Sequence, residues 1–295
     1  MGKIRPLKKG SLIGIAAPAS PFDRRKFRQA IQNLCHLGFR TTFQNGIFSK
    51  KQYLAGDDKR RSREINRLLN NPRVEAILFA RGGYGSARLL PLLPKKISNF
   101  KAIMGLSDLT ILLGYLWKRY RLPTLYGPLV APHLKDHRYA DKVLRALSEP
   151  DFFKRQSLAG TLLIRPGRSR GRLVGGCLSL VVSSLATPYE VDTCNTLLFL
   201  EDTEEEPYAV DRMVTQLIQA GKLRMVKGII LGSFCWKKRP FPKEILEVFR
   251  DRLGNFQGPV LWGVPFGHLR HPSIIPHGGV GRIEGRKLFI EKGIF

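Results

Sequence analysis

The chain has 295 residues, and its 50 lysines and arginines against 23 aspartates and glutamates give it a formal net charge of +27. With 43% hydrophobic residues, it has the composition of a folded protein and not of a disordered basic tail. Its four cysteines are far apart and form no Cys-x-x-Cys pair, which disfavours a disulfide scaffold or a structural zinc site and favours a reducing compartment. No run of about 18 apolar residues is present, so we expect no membrane-spanning helix and no membrane partner.

The first part of the chain alternates short apolar runs with longer amphipathic runs. In chain order it predicts a strand at residues 12–17, a helix at 21–37, a strand at 40–43, a helix at 57–69, a strand at 74–80, a helix at 85–92, a strand at 101–104, a helix at 109–119 and a strand at 122–125. Strands that alternate with helices are typical of a parallel sheet covered on both faces.

Between residues 136 and 172 this pattern weakens to one helix-like segment at 139–147, followed by prolines, glycines and a basic run. The alternation then returns, with strands at 173–174, 196–200, 228–231 and 260–262, helices at 177–185, 208–220 and 242–253, and a hairpin near the end. We therefore predict an α/β protein of two domains, at residues 1–135 and 173–295, joined by a linker at 136–172.

The positive charge is spread along the chain, with its densest segments at residues 95–96, 168–172 and 237–239. None of these segments is interleaved with aromatic residues, as a base-stacking surface is. We interpret them as solvated surface and expect no specific nucleic-acid partner. A basic nucleic-acid-binding protein with an inactive α/β core remains the alternative from another functional class.

Ser107 lies where an apolar strand ends at Gly105 and a helix begins within three residues. Such a turn places a serine hydroxyl above the edge of the sheet, beside the first free N–H groups of the helix, where a developing oxyanion is stabilised. The Gly-x-Ser-x-Gly string of a nucleophile elbow is absent, because Leu109 replaces the second glycine. Capping of the helix by Ser107 or Asp108 is the alternative interpretation.

A glycine-rich turn, Arg81-Gly82-Gly83-Tyr84-Gly85, follows another predicted strand. Its glycines allow backbone N–H groups to approach a phosphate, a carboxylate or an oxyanion, and a simple tight turn is the alternative. The turn matches neither the dinucleotide-binding pattern nor the phosphate-binding loop with its Lys-Ser/Thr pair. We therefore expect no nucleotide cofactor.

Glu201 begins an acidic segment, residues 201–206, directly after a predicted strand. At the carboxyl end of a strand, a carboxylate can orient a histidine, a group of carboxylates can hold a hard cation, and a solvated acidic turn is the alternative. His268 lies in a loop shaped by glycine and proline after the strand at 260–262. No His-Glu-x-x-His pattern is present, so we expect no metal site.

Ser107, Glu201 and His268 thus each follow a separate predicted strand. A serine nucleophile, an imidazole base and an orienting carboxylate are the minimum set for acyl transfer. Their order along the chain permits such a triad and does not by itself establish one.

The chain resembles the LD-carboxypeptidases of murein recycling and their relatives, the microcin C self-immunity serine peptidases. The likeness runs nearly end to end. It is carried by GIAAPAS at residues 14–20, RGGYGSARLL at 81–90, GLSDLT at 105–110, YGP at 126–128, GG at 175–176, FLEDTEEEPYAVDR at 199–212 and PFGH at 265–268.

The resemblance implies a flavodoxin-like N-terminal domain with a parallel sheet and a C-terminal α/β domain with a mixed sheet. Ser107 would be the nucleophile, His268 the general base and acid, and Glu201 its orienting partner. The backbone N–H groups of Asp108 and of Gly83 or Gly82 would form the oxyanion hole. The family releases D-Ala from the cytoplasmic murein tetrapeptide, and its members are typically cytoplasmic, metal-free and dimeric, so we expect a cytoplasmic homodimer without cofactor.

We further expect Arg81, Tyr84 and Cys177 to contact the substrate, with Arg81 as a clamp for a carboxylate. Two positions depart from the family pattern. The family has Gly-Gly-Asn where this chain has Gly175-Gly176-Cys177, and it has His-Gly-Pro where this chain has Tyr126-Gly127-Pro128. The change from Asn to Cys removes an amide donor and acceptor, which can shift specificity. The alternative substrate is an aminoacyl-nucleotide antibiotic, for which residues 152–153, both Phe, are candidates to stack on the base.

Overall fold

The computed structural model describes residues 3–97 and 99–295. The elements of its first part are β1 (Leu12–Ala16), α1 (Arg24–His36), β2 (Arg40–Thr42), α2 (Asp58–Asn70), β3 (Val74–Phe79), β4 (Ala102–Gly105), α3 (Leu109–Tyr120), β5 (Thr124–Tyr126), α4 (Val130–His133) and α5 (His137–Ser148). Aspartates begin α1, α2 and α5, because the side chains of Asp23, Asp57 and Asp136 each accept a backbone N–H of the first turn.

The second part contains mostly strands. Its elements are β6 (Ser157–Ala159), β7 (Leu162–Arg165), β8 (Ser169–Cys177), α6 (Leu178–Ser183), β9 (Thr196–Thr203), α7 (Pro207–Gln219), β10 (Gly228–Cys235), α8 (Lys243–Leu253), β11 (Val260–Trp262), β12 (Ile275–His277), β13 (Val280–Glu284) and β14 (Lys287–Lys292). None of the helices in the described ranges is long and apolar enough to cross a membrane.

The strands form two sheets, which confirms the predicted α/β fold with one mainly parallel and one mixed sheet. The first sheet has the order β12-β5-β4-β3-β1-β2, in which β1 to β5 are parallel in the flavodoxin-like order 2-1-3-4-5. The second has the order β6-β14-β13-β8-β9-β10-β11-β7, with β8 to β11 parallel and the outer strands antiparallel.

One strand of the second half, β12, belongs to the first sheet. β12 pairs antiparallel with β5, with Ile275 opposite Tyr126, and so covers the edge of the parallel strands. The two halves of the chain are therefore joined by a strand pairing as well as by the connection between them.

The segment 136–172, for which the sequence predicts a linker, contains regular structure. α5 packs against α1, and the N–H of Leu7 donates to the carbonyl of Leu147 at the end of α5. β6, β7 and the first part of β8 belong to the second sheet. The chain thus passes from one sheet to the other between α5 and β6.

The helix predicted over residues 85–92 is a 3-10 helix, Ala87–Leu92, that contains Pro91. Proline has no N–H to donate to an α-helical ladder, so this segment forms only a short, tightly wound turn. The shorter helix leaves Gly85 and Ser86 in the loop that follows β3, where they contact the residues around Ser107.

Alternate residues of the central β9 and β10 face two separate apolar clusters. Leu197, Phe199 and Ile230 belong to a large cluster that also contains the core of the first sheet. Leu198 and Ile229, on the opposite face, pack with the buried sides of α7 and α8. The period of two along each strand therefore produces one core shared by the two halves and a second core formed by the second half, against which Trp117 of α3 packs.

Candidate active site

Ser107 occupies a strained turn between β4 and α3. Its φ is +64°, a left-handed conformation that is uncommon for a residue with a side chain. The first turn of α3 holds it there, because the carbonyl of Ser107 accepts the N–H of Thr110 at 2.9 Å and the hydroxyl of Thr110 at 2.7 Å. The side chain of Ser107 stays partly exposed at the carboxyl end of the first sheet.

The glycine-rich loop after β3 passes directly beside Ser107. A Cβ at Gly82 would lie 2.9 Å from the Cβ of Ser107, and one at Gly83, whose φ is +104°, would lie 2.3 Å from the Oγ of Ser20. Only glycine fits this approach. Within the described residues, the N–H groups of Gly82, Gly83 and Asp108 make no hydrogen bond, so three donors near the serine are free to bind an anion.

The Asp108 side chain connects this loop to the nucleophile turn. Its two carboxylate oxygens accept the N–H of Gly85 at 3.1 Å and of Ser86 at 2.8 Å, and the Ser86 hydroxyl donates to the Asp108 carbonyl at 2.6 Å. Burial raises the pKa of Asp108, and the hydrogen bonds from Ser86 and Gly85 oppose that rise. Both segments that carry the free N–H groups are thereby held in one position.

Glu201 and His268 form a close pair. The carboxylate of Glu201 is fully buried within β9, near the carboxyl end of that strand. Its Oε2 lies 2.7 Å from Nδ1 of His268 and accepts the His268 backbone N–H at 3.1 Å. A Cβ at Gly267 would lie 2.5 Å from Oε2, so a glycine is required before the histidine. Burial lowers the pKa of His268, but the charge and hydrogen bond of Glu201 outweigh it, and the pKa is raised above 6.5.

Tyr126 joins this pair to the nucleophile turn. Its hydroxyl donates to Oε1 of Glu201 at 2.5 Å and accepts the backbone N–H of Ser107 at 3.3 Å. The ring is fully buried at the end of β5, and burial together with the Glu201 charge raises the pKa of the phenol well above its ordinary value. The sequence marked Tyr126 only as a departure from a family pattern. Its position at the carboxyl end of a predicted strand was the available signal.

The structure thus connects the three predicted residues in a chain of contacts: the Tyr126 hydroxyl lies between Ser107 and Glu201, and Glu201 contacts His268. No hydrogen bond between Ser107 Oγ and the His268 ring is present among the described contacts. Nδ1 of His268 faces Glu201, so its Nε2, on a side chain that is 23% exposed, remains available to a second group.

Cys177 lies beside the site and faces away from solvent. Its thiol donates to Oδ1 of Asp202 at 3.2 Å, and its backbone N–H donates to Oγ1 of Thr110 at 3.0 Å. Burial, reinforced by the charge of Asp202, raises the pKa of the thiol well above its ordinary value, so it stays protonated. Burial and the charge of Glu201 raise the pKa of Asp202 to about 6.

Arg81 and Tyr84 lie on the exposed side of the glycine-rich loop. The guanidinium of Arg81 donates to the carbonyl of Pro21 at 2.7 Å. Tyr84 packs edge to face against Tyr53 with 5.7 Å between ring centroids, and about half of each side chain is exposed. These three residues form an exposed cationic and aromatic rim beside the site.

Metal-binding side chains do not cluster in the described part of the chain, where no group of three or more His, Cys, Asp and Glu is placed to hold an ion. His271 pairs with Asp136 at 3.1 Å, and His277 is fully buried in β12. Neither His271 nor His277 has a described hydrogen bond to Glu201.

Comparison with known proteins identifies the family. Residues 13–127 match the model of the LD-carboxypeptidase N-terminal domain, and residues 170–283 match that of the LD-carboxypeptidase C-terminal domain. The chain belongs to the LD-carboxypeptidase family. It is 33% identical over 285 residues to a probable murein peptide carboxypeptidase of Bacillus subtilis. This alignment covers 94% of this chain and 89% of that protein.

Two further proteins show the range of names among the proteins that are similar to this chain. The chain is 27% identical to the microcin C7 self-immunity protein MccF of Escherichia coli, over 91% of this chain and 89% of that protein. A crystal structure of muramoyltetrapeptide carboxypeptidase from Oxalobacter formigenes superposes with a TM-score of 0.83 at 26% identity, over 96% of this chain and 98% of that one. The resemblance stated from the sequence is confirmed.

Proposed function

We propose that this member of the family is a serine LD-carboxypeptidase that releases the terminal D-Ala from murein tetrapeptides. The observation that carries the proposal is the 2.7 Å contact between His268 Nδ1 and Glu201, beside a serine in a strained turn. A carboxylate on Nδ1 fixes the proton on that nitrogen, which leaves Nε2 to act as the base. The names of the relatives supply the substrate class.

The proposed reaction has two halves. In the first, Ser107 Oγ attacks the carbonyl carbon of the terminal amide while Nε2 of His268 takes the hydroxyl proton. The tetrahedral oxyanion is held by the free N–H groups of Asp108 and of Gly83 or Gly82. His268 then gives its proton to the leaving amine of D-Ala, and an acyl-enzyme on Ser107 remains.

In the second half, water replaces the amine. His268 takes a proton from that water, the resulting hydroxide attacks the acyl carbon, and the proton returns to Ser107 as the ester bond breaks. Glu201 stabilises the imidazolium that forms in each half. Arg81 and Tyr84, on the exposed rim, contact the peptide, and the positive charge of the chain attracts its carboxylates.

The test is release of free D-Ala from a murein tetrapeptide by the purified protein, with and without a chelator. We expect release that persists in chelator and falls by at least about a thousandfold in Ser107→Ala. Ser183→Ala, at an exposed serine of α6, is the matched control and is expected to be as active as the wild type. A tetrapeptide ending in L-Ala should remain intact. Full release by Ser107→Ala would contradict the serine mechanism.

The similarity to MccF favours a second candidate, hydrolysis of an aminoacyl nucleotide. The same purified protein is offered both compounds at equal concentration. A folded wild-type protein that spares the murein peptide and cleaves the aminoacyl nucleotide in a Ser107-dependent manner would replace the first substrate by the second. The cytoplasmic location and the homodimer stay predictions from the family resemblance.

A further inference from the structure

One buried hydroxyl contacts both halves of the candidate triad. Tyr126 lies in β5 of the first sheet, whereas Glu201 lies in β9 of the second, and the 2.5 Å hydrogen bond between them crosses from one half of the chain to the other. The same oxygen accepts the N–H of Ser107 at 3.3 Å. Tyr126 is fully buried, so water does not compete for either contact.

The two oxygens of Glu201 have separate partners. Oε2 lies 2.7 Å from Nδ1 of the His268 ring and accepts the His268 backbone N–H at 3.1 Å. Oε1 accepts the hydrogen bond from the Tyr126 hydroxyl. A donor on Oε1 draws negative charge away from Oε2, and so weakens the hold of the carboxylate on a protonated imidazole. It also fixes the rotation of the carboxylate about its last torsion.

We propose that Tyr126 is a positioning residue of this site, whose hydroxyl aligns Glu201 with the Ser107 turn and limits how strongly Glu201 stabilises the His268 imidazolium. The proposal rests on the proposed function for its catalytic consequence, but its effect on His268 is independent of the substrate. Proton return from His268 to the leaving amine is faster when the imidazolium is not held too strongly.

Other titratable groups also surround His268 and Tyr126. Those on the neighbouring elements are Cys177 of β8, Asp202 of β9, Cys235 of β10, His133 of α4, and the exposed pair His271 and Asp136. Burial lowers the pKa of His133 to about 4 and raises that of Cys235 to about 11, so both are neutral near pH 7. Asp202, with a pKa of about 6, changes charge in the same pH range, so the His268 pKa is read from its own imidazole resonances.

The first variant is Tyr126→Phe, which removes only the hydroxyl. Without the donor on Oε1, more of the negative charge of Glu201 remains on Oε2, which faces His268. This charge stabilises the protonated imidazole, so the pKa of His268 rises further above 6.5. We expect the acid limb of kcat/KM to move to higher pH by about 0.5 to 1 unit. We expect kcat to fall about tenfold, with KM changed by less than about twofold, because positioning is lost and binding is not.

The second variant keeps the hydroxyl and makes it a stronger donor. Tyr126→3,5-difluorotyrosine has a more acidic phenol in nearly the same shape, so it draws more charge from Glu201. We expect the pKa of His268 to fall and the acid limb of kcat/KM to move to lower pH. Both changes are opposite in direction to those expected for Tyr126→Phe. If Tyr126→Phe does not fold, this variant decides the question.

The pKa of His268 is measured directly by NMR titration of the imidazole, with its resonances assigned through His268→Gln. This readout needs no substrate, so a failure of the murein peptide assay leaves it intact. Tyr120→Phe is the matched control, since it removes a partly buried hydroxyl that donates to the Pro94 carbonyl far from Glu201. We expect that control to leave the His268 pKa unchanged.

Opposite shifts in the two Tyr126 variants support the proposal. A His268 pKa that is the same in both variants as in the wild type, or that moves in the same direction in both, overturns it. Loss of activity at all pH values with an unmoved acid limb also overturns it, because that is the result of a purely structural tyrosine.

Discussion

His277 shows how a single buried side chain makes the stability of the protein depend on pH. It is fully buried in β12 beside Phe199, and neither ring nitrogen has a hydrogen-bond partner among the described residues. Burial lowers its pKa from 6.5 to about 4, because the charged form has no counter-ion there. Protonation of the ring is therefore less favourable in the folded protein than in the unfolded chain.

From this shift we predict that the free energy of unfolding falls as the pH decreases. The folded-state pKa is depressed, so the contribution of neutral His277 is complete above pH 6.5 and is lost as the pH falls through 4. His277→Leu should remove about 3 kcal/mol of this acid destabilisation and leave the protein at least as stable at pH 7. Urea unfolding at several pH values measures it. His36→Gln, at an exposed histidine, is the control and should keep the pH dependence of the wild type. The same pH dependence in His277→Leu as in the wild type would contradict the prediction.

The site was partly predictable at the residue level. Ser107, Glu201 and His268 each follow a predicted apolar strand, and the carboxyl ends of parallel strands meet at one edge, so the local pattern marked them as candidates. Their roles came from the family resemblance. The link through Tyr126 joins positions far apart in the chain and on different sheets, and no local pattern encodes it. For the same reason, the sequence did not predict that the Cys177 thiol donates to the Asp202 carboxylate on the neighbouring strand.

At the level of elements, the glycine-rich loop and the N-terminus of α3 behave as one unit. Asp108 accepts two N–H groups of that loop, and both donors are buried. We predict that Asp108→Ala leaves these donors unpaired and lowers the free energy of unfolding by about 2–4 kcal/mol. The backbone N–H of residue 108 is retained, so any loss of activity reports displacement of the loop.

Asp57→Ala provides the matched control for Asp108→Ala. Asp57 is exposed and accepts one N–H at the start of α2, so its loss should lower stability by only about 1 kcal/mol. Urea unfolding and the rate of proteolysis in the loop at 81–86 measure both variants. Equal effects of the two substitutions would contradict the coupling of loop and helix.

The elements also show where sequence reasoning was sufficient. Alternating apolar and amphipathic runs predicted the main strands and helices because burial on both faces leaves a strong pattern. The pattern failed for β6 and β7, which are short strands within the predicted linker, and for β12, whose three residues lie among prolines and glycines. Such strands exist because a neighbouring strand offers unpaired backbone groups, which the local sequence does not reveal.

At the level of the whole molecule, the shared apolar cluster predicts that the two halves unfold together. The cluster contains Phe199 and Phe266 from the second half along with the core of the first sheet, and β12 adds a strand pairing. Separation of the halves would expose this surface, so neither should be stable alone. We expect one transition in urea.

Tryptophan fluorescence tests this expectation. Trp117 reports on α3 in the first half, and Trp236 and Trp262 report on the second half. Trp117→Phe leaves only the second-half signal, which is compared with far-UV circular dichroism of the same variant. Coincident midpoints are expected, and two separated midpoints would show that the halves unfold independently.

The position of β12 has a consequence for synthesis on the ribosome. β5 ends at Tyr126, but the strand that covers its edge begins only at Ile275, about 150 residues later. At translation rates of roughly 5–20 residues per second, the edge of β5 stays open for about 7–30 s. Glu201 and His268 also emerge during this interval, after Ser107. The nascent chain therefore carries the Ser107 turn before Glu201 and His268 are synthesised, and the hydrogen bond from Tyr126 to Glu201 forms only after β9 has emerged.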